Sequence, residues 1–149
     1  MTDKNVFIDT NIWIYGLVKS DDSNDNIKRT AAISLFEKVV LENQIIVSVQ
    51  VLNECHWNLV RKFGYGDLEV FNRIQENIIE ISMVLDISQI TYSESFRIRE
   101  KYKLSFWDSL VTASAIEGEC FRLYSEDFQH GQKLDNLTII NPFILGQEA

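Results

Sequence analysis

Four acidic residues, Asp9, Glu54, Asp108 and Asp127, recur along the chain where apolar segments end or helical patterns begin. If all four met, their carboxylates would repel one another, raise each other's pKa and weaken the fold unless a cation sat among them. A cluster rich in oxygen and poor in histidine suits hard divalent cations such as Mg2+ or Mn2+, one ion or two, since two such ions balance four negative charges. Such a site binds phosphate through its metal, so even an acidic protein can engage a nucleic acid. Each acid also has a plainer role available. Asp9 can help start a helix, Glu54 can be an exposed helix acid, Asp127 beside Glu126 can be a turn residue, and Ser105-Phe-Trp-Asp108 fits a capping box. Taken singly, the plain roles suffice; convergence is what would argue for chemistry.

The elements around these acids predict that convergence. Val6–Ile8 is short, β-branched and aromatic, as in a strand buried on both faces, and Asn11 is available to cap a helix over Ile12–Val18. Asp9 then lies where strand gives way to helix, the edge at which open α/β sheets bind ligands. Lys19–Asn26 reads as a solvated loop. Ile27, Ala31, Leu35, Phe36, Val39 and Val40 recur at helical spacing up to about Asn43. Ile45–Ser48 is a second strand, followed by a helix over Val49–Phe63 with Leu52, Leu59, Val60 and Phe63 facing inward and Gly64 ending it. Glu54 falls in that helix's first two turns, at the same edge as Asp9.

Asp67 is the expected cap of a helix with an apolar stripe of Leu68, Phe71, Ile74 and Ile78, and Ile81–Leu85 reads as the next strand. Helices over Ser88–Tyr102 and Ser105–Glu117 precede strands at Phe121–Ser125 and Leu137–Ile140, the last closed by Asn141-Pro142. From Asp108 the helix carries the chain about 15 Å away. The Phe121–Ser125 strand returns it by roughly 16 Å, so Asp127 arrives at the edge Asp108 left. Strands alternating with helices predict an α/β domain with a mainly parallel central sheet flanked by helices.

A length of 149 residues with 46% hydrophobic content suits one domain, 1–149, with a substantial core. No apolar run approaches membrane-spanning length, and the first residues carry Asp3 and Asp9 without an apolar signal region, so no membrane association and a cytoplasmic location are expected. Cys55 and Cys120 read as two buried thiols rather than a disulfide or a zinc site. The net charge of −8 argues against gripping a phosphate backbone by surface charge alone. The local basic groups, Lys28 and Arg29, Arg61 and Lys62, and Arg97, Arg99, Lys101 and Lys103, read as solvated helix faces.

Phe-Ile-Asp-Thr-Asn near the N-terminus, Asn-Glu after the second strand, Ser-Phe-Trp-Asp-Ser-Leu-Val-Thr-Ala-Ser-Ala, and Leu-Tyr-Ser-Glu-Asp-Phe-Gln-His-Gly together resemble the signatures of PIN domains. The likeness is to the VapC-type ribonuclease toxins of toxin–antitoxin pairs, and it covers nearly the whole chain and all four acids in order. It implies a Rossmann-like sheet, a homodimer, and a Mg2+- or Mn2+-dependent endonuclease acting on single-stranded RNA. By the same resemblance Asp9 and Asp108 match the strongest metal ligands, Glu54 the acid near the centre, and Asp127 the fourth and most variable one. Asn11 and Ser125 match positions that orient water or a neighbouring carboxylate. Glu126 leaves open which of the two adjacent acids points inward.

The implied reaction is metal-assisted hydrolysis in which water attacks phosphorus and leaves a 5′-phosphate and a 3′-hydroxyl. The resemblance also implies a small antitoxin that wraps the chain, and Trp57, Tyr65 and Phe71 are aromatic candidates for that partner or a twofold contact. The alternatives are a catalytically silent PIN-fold binding module and a free-standing RNA-processing nuclease. A phosphoacceptor receiver domain fails for want of a lysine at Asn141-Pro142, and a haloacid-type phosphatase for want of an acid at Asn11.

Overall fold

The computed structural model describes residues 4–144. Its centre is a six-stranded sheet: β1 Asn5–Ile8, β2 Gln44–Ser48, β3 Ser82–Leu85, β4 Arg122–Tyr124, β5 Lys133–Leu134 and β6 Leu137–Ile140. The strands lie in the order β3-β2-β1-β4-β6-β5. All pair in parallel except β5, which runs antiparallel to β6. The helices are α1 Thr10–Leu17, α2 Ser23–Glu42, α3 Val49–Arg61, α4 Asp67–Asn77, α5 Gln89–Tyr102 and α6 Phe106–Glu117.

β1 shows why the fold is of this kind. Val6, Phe7 and Ile8 are all fully buried, as a strand covered by helices on both faces requires. The chain steps outward from β1 to β2 to β3, then returns to lay β4 on the other side of β1. Right-handed crossovers therefore set α1 to α4 on one face and the returning α5 and α6 on the other. The reversal makes the gap between β1 and β4 the switch point of the sheet, where strand ends splay and leave a crevice.

Packing fixes that crevice. Trp13 on α1 is buried, donates from Nε1 to the carbonyl of Ile8 at 3.1 Å, and stacks on Phe36 of α2 at 4.8 Å. Gly16 lets α2 come this close, because a Cβ there would run into the Phe36 ring. Removing the Trp13 indole would cost about 3 to 5 kcal/mol, the usual penalty for emptying an aromatic site in a core.

The elements depart from the sequence reading at several points. Asp9, not Asn11, caps α1, because its backbone is already extended and its carboxylate accepts from the amide of Thr10 at 2.8 Å. Part of the expected 19–26 loop is helical, since Asp22 accepts from the amides of Asn24 and Asp25 and starts α2 at Ser23. Asp67 is the first residue of α4 rather than its cap; the carboxylate turns to His56 at 2.6 Å instead. The buried stripe of α4 is Val70, Ile74 and then Ile78, while Leu68 and Phe71 face outward. On α3 the inward row is Val51, Cys55 and Leu59, with Phe63 exposed. α3 ends at Arg61 with Lys62 as its C-cap, two residues short of the expected Phe63, and Gly64 follows in a left-handed conformation at φ 74° that turns the chain away. β5, too short to carry a pattern, was not expected.

Candidate active site

The crevice at the carboxyl edge is a small cavity of about 120 Å³ whose walls include Asp9, Glu54, Asp108 and Asp127. β1 delivers Asp9, α3 delivers Glu54 just after β2, the first turn of α6 delivers Asp108, and the segment after β4 delivers Asp127. Asn11, Thr10, Gln50 and Asn58 line the same walls, and among the described residues no Lys or Arg does. The four acids therefore face one another with no basic side chain among them.

Asp9 is the best fixed of the four. It is 7% exposed; Oδ1 accepts from the Thr10 amide, and Oδ2 accepts from the Ser125 hydroxyl at 2.8 Å. Burial pushes its pKa up to about 6 against the lowering effect of these two hydrogen bonds, with smaller upward contributions from Asp127 and Glu54. Ser125 is itself fully buried and accepts from the amide of Asp127 at 3.1 Å, so one hydroxyl ties two of the acidic residues together.

Glu54 accepts on Oε1 from the hydroxyl of Thr10 at 3.3 Å and from the amide of Gln50 at 3.4 Å. Its pKa is raised mainly by burial, with the charges of Asp127 and Asp108 adding to it. Asp127 accepts on Oδ2 from Asn11 Nδ2 at 3.4 Å and is raised by burial, then by Glu126 and Asp108. Asp108 is set by Ser105, whose hydroxyl accepts from the Asp108 amide at 3.2 Å. The reciprocal half of the expected capping box is not made among the described residues, which leaves this carboxylate facing the cavity rather than folded back on its own helix.

Glu126 points elsewhere. Lys28 donates to Glu126 Oε2 at 2.8 Å and to the hydroxyl of Tyr15 at 3.2 Å, so the acid next to Asp127 is neutralised outside the cavity. Asn11 and Ser125 stand where they were expected, each bonded to one of the acids. The histidines do not enter: His56 pairs with Asp67, and His130 Nδ1 accepts from the amide of Asn141 at 3.0 Å.

Thr10, Gln50, Asn58 and Trp107 were not singled out from sequence. Gln50 and Asn58 lie four residues before and after Glu54, so the helical repeat carries them onto its face of α3. That spacing was available as a signal. Thr10 and Trp107 simply adjoin Asp9 and Asp108.

The donor set is the oxygen-only kind that hard divalent cations take, and the uncompensated carboxylates give a cation something to neutralise. Among the described residues, no three His, Cys, Asp or Glu side chains are drawn tightly enough together to form a closed metal cage. The acids line the walls of the cavity and stop short of a closed coordination sphere.

A family profile described as the PIN domain matches residues 6–132. Among solved structures, the chain is similar to Mycobacterium tuberculosis VapC20, described as a sarcin-ricin loop cleaving toxin, with 17% identity, a TM-score of 0.63, and coverage of 83% of this chain and 89% of that one. A toxin–antitoxin complex from Klebsiella pneumoniae matches at 18% identity and a TM-score of 0.67 over 93% of this chain and 98% of the other. FitAcB from Neisseria gonorrhoeae matches at 12% identity and a TM-score of 0.69 over 94% and 99%. At these identities the likeness is one of fold. No curated protein sequence matches the chain.

Proposed function

Because the chain belongs to the PIN domain family, we propose that it is a metal-dependent endoribonuclease hydrolysing phosphodiester bonds in single-stranded RNA, and the toxin of a toxin–antitoxin pair. The observation that carries this reading is the cavity at the β1/β4 switch point, where four acids from four segments meet without a basic residue among them. Asp9, Glu54, Asp108 and Asp127 would hold Mg2+ or Mn2+, and Asn11 and Ser125 would orient them.

When bound, a divalent cation supplies positive charge to the phosphate oxygens and favours ionisation of water. The chain's own residues supply orientation and proton transfer. Asp9 is locked through both carboxylate oxygens, so its position changes little as charge develops. Glu54 uses Oε1 to accept from Thr10 and Gln50, while Oε2 makes no hydrogen bond among the described residues. Because Oε2 is uncommitted and Glu54 lines the cavity, we assign it the proton of the attacking water. Water oxygen bonds to phosphorus and the bond from phosphorus to O3′ breaks; O3′ takes a proton from solvent water, and Glu54 returns to solvent the proton it received. No residue here needs the 2′-hydroxyl, and neither histidine lines the cavity to activate it.

Total cellular RNA incubated with the chain in Mg2+, in EDTA, and with Asp108→Asn tests the reading. Cleavage in Mg2+ alone, leaving 5′-phosphate and 3′-hydroxyl ends, is expected; 2′,3′-cyclic phosphate ends would overturn it. VapC20 and the Klebsiella pneumoniae complex, by their descriptions a toxin and a toxin–antitoxin assembly, support the toxin assignment. Growth arrest on expression, relieved by co-expressing the neighbouring gene, is the matching cellular result, and a chain that cleaves without arresting growth is a free-standing nuclease. Among the described residues no helix is long and apolar enough to cross a membrane.

A further inference from the structure

The acidic cavity opens beside a larger groove of about 820 Å³ lined by α3, the segment after β3, and Trp107 of α6. We propose that this groove is a nucleobase subsite, in which an unpaired base of the RNA stacks on Trp57 and Trp107 next to the phosphate being cleaved. The inference rests on the ribonuclease reading and adds where the substrate's base lies.

Three observations favour a base over any other occupant. Trp57 and Trp107 are 63% and 62% exposed and both line the groove, whereas the third tryptophan, Trp13, is buried. Exposed indoles at the mouth of a nuclease site are what sequence-tolerant stacking of single strands uses. Gln50 lies on the wall shared by groove and acidic cavity; it is 8% exposed, its Nε2 is committed to Glu54, and its Oε1 has no partner. An unsatisfied buried acceptor is costly, and a turn of the Gln50 amide toward the groove would bring it to the N–H of a bound base. Asn53 and Asp86 add polar edges to the same walls.

Charge and continuity point the same way. The guanidinium of Arg61 sits over the Trp57 ring, 5.0 Å from its centre, so one face of this indole carries a cation. Asn58 lines the groove, the acidic cavity and a third recess of about 220 Å³ that holds Lys62 and Tyr15. A strand can thus run from an aromatic groove, past the acids, to a recess lined by Lys62, Asp25 and Tyr15, so stacking on the indoles rather than basic surface carries the hold on RNA.

The test uses the full chain carrying Asp9→Asn, so that RNA is bound and not cut, with a labelled single-stranded oligoribonucleotide and the same oligomer made abasic at one position at a time. Adding Trp107→Leu or Trp57→Leu should weaken binding about tenfold each, the size expected for one lost stacking partner. Trp107→Phe should keep most of the affinity. One abasic position should cost the parent at least as much as either single Leu variant does and add nothing only in the double Trp57→Leu, Trp107→Leu variant, and the intact oligomer, unlike that abasic one, should quench indole emission. Equal binding of intact and abasic oligomers, or Leu variants that bind like the parent, would overturn the proposal. So would shielding of both indoles from acrylamide with rising protein concentration, which would mean that a second copy of the chain covers the groove. In the Asp9-intact chain, cleavage unaffected by the Trp substitutions removes this inference alone. An Asp9-intact chain that binds through its indoles yet never cleaves RNA removes the ribonuclease reading and leaves the base subsite standing.

Discussion

Ser125 joins the ends of two neighbouring strands through the acids that follow them: its hydroxyl donates to Asp9 Oδ2 at 2.8 Å, and its oxygen accepts from the amide of Asp127 at 3.1 Å. The hydroxyl sits at the β1/β4 switch point, where the sheet opens, and is itself fully buried. Ser125→Ala therefore leaves one oxygen of a buried carboxylate and one amide unpaired. The expected cost is about 1 to 3 kcal/mol in urea unfolding at pH 7.5. RNA cleavage should fall roughly tenfold or more as Asp9 loses its fixed orientation. A variant as stable and as active as the parent would show that the hydroxyl holds nothing in place.

Asp9 makes the fold pH-dependent in a defined direction. Its pKa is raised from 3.8 to about 6 in the folded chain. The folded state thus holds this proton more tightly than the unfolded one. The penalty for ionising Asp9 is absent below pH 4, grows as pH rises toward 6, and is complete above it. That difference in pKa corresponds to roughly 3 kcal/mol. Asp9→Asn should recover about 1 to 2 kcal/mol of that at pH 8, since it also gives up hydrogen bonds strengthened by charge. At pH 4 it should gain nothing. Mg2+ should raise the melting temperature of the wild-type chain at pH 8 by mass action and leave Asp9→Asn nearly unmoved. Thermal melts at both pH values, with and without the ion, read all of this.

Asp135 works in the opposite sense. It takes a left-handed conformation at φ 56° in the tight turn between β5 and β6, and its carboxylate accepts from Arg97 at 2.7 Å, Tyr102 at 2.7 Å and Lys101 at 3.2 Å. The Tyr102 oxygen in turn accepts from the Asp135 amide at 2.7 Å, so the turn is pinned to the end of α5. Hydrogen bonding by Arg97 and then Tyr102 holds this carboxyl well below the usual range. The stabilisation is present above the unfolded value near 3.8 and is lost as pH falls through the lower folded one. Asp135→Asn should cost about 1 to 2 kcal/mol at pH 7 and progressively less in strong acid, in denaturant titrations across that range.

What the sequence made legible follows the strength of the local signal. The run Val6–Ile8 suits a doubly covered strand, and alternation of strands with helices set the parallel sheet; both were readable because burial leaves an apolar imprint. The meeting of the four acids was also readable, since each lies within two turns of an end of a strand or helix. Helix caps were harder. Asp9 and Asn11 are both good caps two residues apart, and the tertiary pull of Asp127 on the Asn11 amide and of Ser125 on Asp9 decides between them. The faces of α3 and α4 were misjudged because Leu68, Phe71 and Phe63 are apolar yet exposed, which pattern alone cannot distinguish from core. Which of Glu126 and Asp127 turns inward depended on Lys28, nearly a hundred residues away, and no local rule reaches that far.

That pair gives the sharpest contrast. Glu126 and Asp127 are adjacent and both acidic, but Lys28 engages Glu126 at 2.8 Å outside the cavity, while Asp127 lines it and is held by Asn11. Glu126→Gln removes a partly exposed ion pair, and such pairs contribute about 1 kcal/mol or less. It should therefore lower stability slightly and leave kcat for RNA cleavage within about twofold, because no group facing the substrate changes. Asp127→Asn keeps the shape and the amide bond to Ser125 but removes one negative charge from the cavity. Its cleavage should drop roughly tenfold or more, and the Mg2+ concentration needed for half-maximal rate should rise, as expected when a ligand carboxylate is neutralised. Cleavage assays on both variants across a Mg2+ titration separate the two acids. A loss of activity in Glu126→Gln equal to that in Asp127→Asn would mean that the ion pair with Lys28 opens and Glu126 swings into the site.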